Sequence, residues 1–255
     1  MSKNRIESLF ETLKEKNKKA FVAYLMSGEN SLEKTKQDVL KLEELGADLI
    51  ELGVPFSDPA ADGEIIQKAG IKALKNGVSI KDVLSLTADI RKSSQIPIVI
   101  MTYLNPILSL GVEEFFLKAS EAGVDGVIIP DVPIEESSIV KDEADKRGIS
   151  FIPLVTLTST VERIEKICNL ASGFVYSVNI LGVTGKMDKI SSGATELLQR
   201  VKSISSVPVL AGFGVSTPEK AREMKKNCDG VIVGSQIIKL INENKFQDIK
   251  KLIDA

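Results

Sequence analysis

The chain has 255 residues, 43% of them apolar, and a formal net charge of −2. That length suits one large domain or two small ones, and the near-neutral balance excludes the electrostatic footprint of a nucleic-acid or anionic-membrane binder. There is no histidine, which removes the commonest general base and the commonest zinc ligand together and leaves acid–base chemistry to carboxylates, Tyr, Lys or Cys.

In chain order, "MSKNRIESLFETLKEK" places Ile6, Leu9, Phe10 and Leu13 at helical spacing among polar residues. This predicts a short amphipathic helix rather than the apolar core of a targeting signal. Eight apolar runs follow: "FVAYLMS" from Phe21, "ADLIELGVP" from Ala47, "IPIVIMTYL" from Ile96, "DGVIIPDV" from Asp125, "SFIPLVTL" from Ser150, "GFVYSVNI" from Gly173, "VPVLAGFG" from Val207 and "DGVIVGS" from Asp229. Most are continuous rather than alternating, the pattern of parallel strands covered on both faces. Helical patterns such as "SLEKTKQDVLKLEELG" and "GVEEFFLKASEAG" separate them. Lysine-rich segments such as "LKEKNKK" and "VERIEKI" interleave with acidic residues and read as solvated helix faces. No run is long enough to span a bilayer. Cys168 and Cys228 form no motif and read as reduced thiols of a cytoplasmic protein.

"ELGADLIELG", "EAGVDGVIIP" and "KKNCDGVIVG" echo one another. In each a helix ends, often at glycine, an Asp sits in the turn, and a strand follows. Repeated βα units over this length predict an α/β fold, a single (β/α)8 barrel spanning residues 1–255, with an extra N-terminal helix. An open doubly wound sheet is the alternative. It wants a glycine-rich turn after the first strand, where "SGENS" offers one glycine.

The site of such a barrel lies at the C-terminal strand ends. After the seventh and eighth runs come "GFGVSTPEK" and "VGSQIIKLI", small-residue turns opening onto helices. Backbone amides of Gly212, Gly214, Gly234 and Ser235 are candidates for an anion cradle there, aided by a helix N-terminus; tight turns alone are the competing explanation. The sixth loop, "NILGVTGKMDKISSG", is long and glycine-bearing. It reads as a lid able to bring the Gly185 amide to the anion, or as an ordinary long loop. In the second run Leu49, Glu51 and Gly53 share one face, with Ile50 and Leu52 on the other. An ionised Glu51 is cheaper to keep inside the barrel mouth than among helix-facing aliphatics, and burial there raises its pKa towards neutrality. The alternative is a structural glutamate paired with Lys or Arg. Asp62 follows in the next loop, and Asp-Gly alone would read as a turn. Above one barrel mouth the two carboxylates form a candidate acid–base pair.

The stretch "ELGVPFSDPAADGEIIQ" resembles the signature of the tryptophan synthase alpha subunit family. "MTYLNPIL", "DGVIIPDVPIEES", "GVTG", "GFGVS" and "GVIVGS" resemble further pieces of that family in the family's order, from Phe21 to Ile241. The resemblance implies a lyase of tryptophan biosynthesis that splits indole-3-glycerol phosphate into indole and glyceraldehyde 3-phosphate. It implies an α2β2 heterotetramer with a beta subunit, which carries the pyridoxal phosphate; no cofactor or metal is implied for this chain. By position it implies Glu51 as proton shuttle, Asp62 as the acceptor of the indole N–H, and Tyr176 as an aromatic that positions Glu51. Tyr24 and Tyr103 match substrate-flanking positions. Thr184 matches a lid residue that closes on Asp62. Phe213, with Gly185, Gly214, Gly234 and Ser235, matches the ligand and phosphate cradle. Ser57, Asp58 and Pro59, and also Asn105 and Pro106, match segments that contact the beta subunit.

The chain departs from the family pattern at Glu64, usually Pro, at Ala60, usually larger, at "SGEN" for "AGDP", at Asn179, usually Ser, and at Lys186. These bear on loop dynamics and coupling to a partner. Other functions remain to be set against the first: a lyase that works alone and releases indole, a barrel acting mainly as an allosteric partner, and a phosphate-sugar isomerase or epimerase. Retention of both carboxylates disfavours the second of these, and the lack of histidine ligands disfavours a metal-using epimerase.

Overall fold

The computed structural model describes residues 4–178, 192–212 and 214–255. Asn4 caps the first helix, α1 (Arg5–Glu15), by accepting the Ile6 N–H. Parallel strands then alternate with helices: β1 (Ala20–Met26), α2 (Leu32–Leu45), β2 (Leu49–Gly53), α3 (Glu64–Lys75), α4 (Ile80–Arg91), β3 (Ile98–Met101), α5 (Leu104–Leu110), α6 (Val112–Ala122), β4 (Gly126–Ile128) and α7 (Ser138–Lys146). There follow β5 (Ser150–Phe151), β6 (Leu154–Thr156), α8 (Val161–Leu170), β7 (Val175–Val178), α9 (Ser192–Ile204), β8 (Val209–Gly212), α10 (Pro218–Lys225), β9 (Gly230–Val233), α11 (Ser235–Asn242) and α12 (Phe246–Ile253).

The strand order is β5-β4-β3-β2-β1-β9-β8-β7-β6. Its two ends, β5 and β6, are halves of the fifth apolar run, separated by Ile152 and Pro153 alone. The first half pairs with β4 and the second with β7, so this run closes the sheet into a (β/α)8 barrel. One continuous strand was expected here. Pro153 has no N–H to give a ladder; the Ile152 N–H still donates to Val127, whereas the Pro153 carbonyl accepts from Tyr176 on the other side. The change of partner falls at the residue that cannot donate.

Strand alternation sorts the core into two layers. Ala20, Val22, Leu49, Val99, Ile128, Ile152, Phe174, Leu210 and Ile232 fill the barrel interior. Their sequence neighbours, such as Phe21, Ile50, Ile98, Val127, Val175 and Val231, pack against the helices. The predicted N-terminal helix plugs the bottom: Ile6 and Leu13 are buried in the interior layer, Leu9 and Phe10 pack on it, and Phe10 meets Phe174 edge-on at 6.1 Å. Both cysteines are buried and free. No described helix is long and apolar enough to cross a membrane.

The echoed Asp residues share one task. Asp48, Asp125 and Asp229, each at the entry to a strand, accept the N–H of Phe21, Ile98 and Val209 on the preceding strand, at 2.7, 2.8 and 3.0 Å. Ser172 does the same for Phe151 at 2.8 Å. Each contact ties a strand to the next across the bottom of the barrel. Two of the echoed helices end at left-handed glycines, Gly46 and Gly123; the third, α10, ends at Lys226 without one.

Candidate active site

Glu51 takes the interior position on β2, next to Leu49, and faces Tyr24 of β1 in register. It is 1% exposed. Its two carboxyl oxygens are buried with no hydrogen-bond partner among the described residues. Burial, with the charge of Asp62 added, pushes its pKa up to about 8. Sequence reasoning expected partial burial and a value near neutrality; full burial carries it past neutrality, so Glu51 rests mainly as the acid. No described ion pair contains it, which leaves the structural Glu–Lys or Glu–Arg alternative without support.

Asp62 stands at the rim, half-buried, in the loop joining β2 to α3. Burial raises its pKa to about 6, so at neutral pH it rests mainly as the carboxylate. The structure therefore brings the two predicted carboxylates into mutual electrostatic reach and splits them into one acid and one anion. The loop is held from two sides. Gln67 on α3 donates to the Asp62 carbonyl at 2.9 Å. The Ala61 N–H donates to the Tyr103 hydroxyl at 2.9 Å, and Phe56 stacks on the Tyr103 ring at 5.0 Å. Sequence reasoning gave Phe56 and Gln67 no role, although both lie within the quoted "GVPFSDPAADGEIIQ" signature.

Two further tyrosines surround the acid. Tyr24 is buried and Tyr176 partly buried, and desolvation with the charges of Asp62 and Glu51 holds both phenols well above their usual range, hence neutral and able to donate. Glycines on adjoining strands make room for them. A Cβ on Gly53 would lie 2.1 Å from the Tyr24 hydroxyl, and one on Gly212 would lie 2.4 Å from the Tyr176 ring. Gly212 was a candidate for the anion cradle; it lies within β8, under Tyr176.

The two small-residue turns differ in what they leave open. At the start of α10 the Thr217 side chain accepts the Lys220 N–H. At the start of α11, Gly234 supplies no side-chain cap, and Ser235 begins the helix. The first-turn amides of α11 therefore retain the capacity to bind an anion, reinforced by the helix dipole. Gly234 packs beside Ile66 and Tyr24, each 3.4 Å from where its Cβ would be, so the open helix start adjoins the tyrosine. Gly214 adopts a left-handed φ of +68°, with nothing among the described residues within 4 Å of where a Cβ would be; that backbone conformation asks for glycine there. Among the described residues no group of three His, Cys, Asp or Glu side chains is placed to hold a metal.

Thr184, Gly185 and Phe213 lie outside the described residues, as do Asn179 and Lys186. Ser57 and Asp58 are exposed at the rim, bonded to each other at 2.6 Å, with Pro59 beside them. Asn105 and Pro106, the other expected contact segment, form the first turn of α5, whose Leu104 N–H is accepted by the Asp131 carboxylate at 3.0 Å. Proline costs no hydrogen bond in a first turn. Glu64 begins α3 and pairs with Lys68 at 2.6 Å. A carboxylate there favours the helix start by charge, as proline would by geometry.

The family model for "Tryptophan synthase alpha chain" matches residues 10–255. The tryptophan synthase alpha chain of Bacillus cereus (strain ATCC 10987 / NRS 248) is 47% identical over 255 residues, covering 100% of this chain and 97% of the relative. The crystal structure of tryptophan synthase subunit alpha from Legionella pneumophila superposes with a TM-score of 0.91 at 34% identity, covering 99% of this chain and 98% of that one. A chain from the tryptophan synthase α2β2 complex of Pyrococcus furiosus superposes with a TM-score of 0.87 at 36% identity, covering 92% and 98%. With a family model over nearly its whole length and a relative at this identity, the chain belongs to the tryptophan synthase alpha chain family.

Proposed function

We propose that this chain cleaves indole-3-glycerol phosphate to indole and glyceraldehyde 3-phosphate, with Glu51 as the proton shuttle and Asp62 as the charge stabiliser. The observation that carries the assignment is the placement of the pair, Glu51 buried in the barrel interior without a hydrogen-bond partner among the described residues and Asp62 half-buried at the rim, which favours the acid for the first, at about 8, and the carboxylate for the second, at about 6. Glu51 gives its proton to C3 of the indole, and the ring nitrogen gains positive character. Asp62 accepts the N1–H and stabilises that charge. Glu51, now anionic, takes the proton of the side-chain hydroxyl on the carbon attached to C3. The carbonyl of the aldehyde forms, the carbon–carbon bond breaks, and its electron pair restores the aromatic indole. Glu51 ends protonated, as it began.

Tyr176 orients Glu51, Tyr24 and Tyr103 flank the indole, and the phosphate is held at the open start of α11 by Gly234 and Ser235, with Gly214 adjoining. Gly185, Thr184 and Phe213 complete the cradle and lid in this reading. No cofactor is needed for these steps; pyridoxal phosphate belongs to a beta subunit, which meets the rim at Ser57, Asp58, Pro59, Asn105 and Pro106 in an α2β2 assembly. Its place is the cytoplasm, as one of the last steps of tryptophan biosynthesis.

The test is release of indole from indole-3-glycerol phosphate by the purified chain, with and without a beta subunit. A slow rate raised by the partner is expected. A high rate unchanged by the partner would overturn the subunit role, and no cleavage in either condition would overturn the reaction.

A further inference from the structure

The loop between β2 and α3 carries Asp62, and what holds it comes from another strand. Tyr103 follows β3 and directly precedes α5. It is 4% exposed. Its hydroxyl accepts the N–H of Ala61, the residue before Asp62, at 2.9 Å. Its ring stacks on Phe56, at the other end of the same loop, with centroids 5.0 Å apart and planes at 27°. One side chain thus grips the loop at two points. Past Val54, whose N–H donates to Met101, the described backbone bonds donated within the loop are local: Ala60 donates to Asp58 and Asp62 donates to Pro59. Gln67 fixes the far end through the Asp62 carbonyl. On its other side Tyr103 is anchored by α5, whose first amide is capped by Asp131.

We propose that Tyr103 is a positioning residue that holds Asp62 in its working orientation through the Ala61 amide and the Phe56 ring. The proposal rests on the function proposed above and adds to it a role for Tyr103 distinct from lining the substrate. A carboxylate that must meet a ring N–H gains from a fixed backbone, since a small displacement weakens a hydrogen bond steeply. The phenol suits the task because burial and the nearby Asp62 charge keep it neutral, and a neutral hydroxyl oxygen accepts an amide N–H.

Tyr103→Phe removes the oxygen and keeps the stacked ring. Exchange of the Ala61 amide, followed by NMR in the ligand-free protein, is expected to speed up about tenfold, the order of one lost hydrogen bond. With indole-3-glycerol phosphate, kcat is expected to fall about tenfold with KM within about twofold, because the loss falls on the transition-state charge. In an Asp62→Asn background the same substitution is expected to change kcat by less than about twofold, since the two act as one unit. Phe56→Leu, which loosens the other grip, carries the same three comparisons should Tyr103→Phe fold poorly. Unchanged Ala61 exchange, a raised KM with unchanged kcat, or an equal kcat loss in the Asp62→Asn background would each overturn the proposal. An inactive wild-type chain would overturn the function instead, and the Ala61 exchange rate would still decide the grip.

Discussion

Replacing Glu51 with Gln is expected to make the protein more stable while destroying its activity. In the folded chain Glu51 is buried without a hydrogen-bond partner among the described residues, and its pKa rises from 4.5 to about 8. A carboxyl with a raised folded pKa binds its proton more tightly when folded. Its folded form is therefore at no disadvantage below about 4.5, and stability drains away as the pH climbs from there to about 8. At pH 7 the unfolded carboxyl is ionised and the folded one is still mainly protonated, a penalty of about 3 kcal/mol at 1.36 kcal/mol per pH unit. Gln has the same shape and never pays it. The variant's advantage in urea unfolding is thus expected to be under about 1 kcal/mol at pH 5 and to grow by about 3 kcal/mol on going to pH 8. Cleavage of indole-3-glycerol phosphate should be lost, with binding of the product glyceraldehyde 3-phosphate retained. A stability difference flat across that range would refute the desolvated acid, and near-normal turnover would refute the proton shuttle.

Asp62→Asn is expected to bind substrate normally and to lower kcat by about 10² or more, measured by indole release, because a neutral amide cannot balance the charge developing on the ring. The wild-type kcat/KM is expected to rise through about pH 6 as Asp62 ionises and to fall through about pH 8 as Glu51 loses its proton. Asp62→Asn should erase the acid limb and move the alkaline limb to lower pH, because the Asp62 charge helps hold Glu51 protonated, and a profile retaining both limbs would reassign the lower pKa. Asp125→Ala should cost about 3 kcal/mol in urea unfolding, because it removes the buried carboxylate that pairs with the half-buried Arg91 at 2.6 Å and with Arg5, and that accepts the Ile98 amide. A loss under about 1 kcal/mol would show the strand tie to be dispensable.

Much of the barrel was legible because burial writes itself into strand sequence. Parallel strands covered on both faces read as continuous apolar runs, and all eight runs carry strands. The echoed Asp residues stood out because a strand entry repeatedly needs an acceptor for its neighbour's first amide. Boundaries were less legible. The third run was read through Leu104, yet the strand ends at Met101 and α5 starts at Leu104. What starts that helix is a carboxylate from the next loop, Asp131, which no local pattern could report.

The sequence by itself determined the order of the βα units, the face on which Glu51 lies, the plug helix and the pairing of Glu51 with a loop carboxylate. These depend on period, spacing and local chemistry, which are properties of neighbours along the chain. Only the tertiary structure decided that the fifth run closes the barrel by changing partners at Pro153. It alone decided that α11 rather than α10 presents an uncapped start, and that Tyr103 holds the Asp62 loop. The same is true of the acid itself: a glutamate becomes an acid at neutral pH only when its surroundings withhold hydrogen bonds and counter-charge while a second carboxylate adds its own charge, and those surroundings come from strands far apart in the chain.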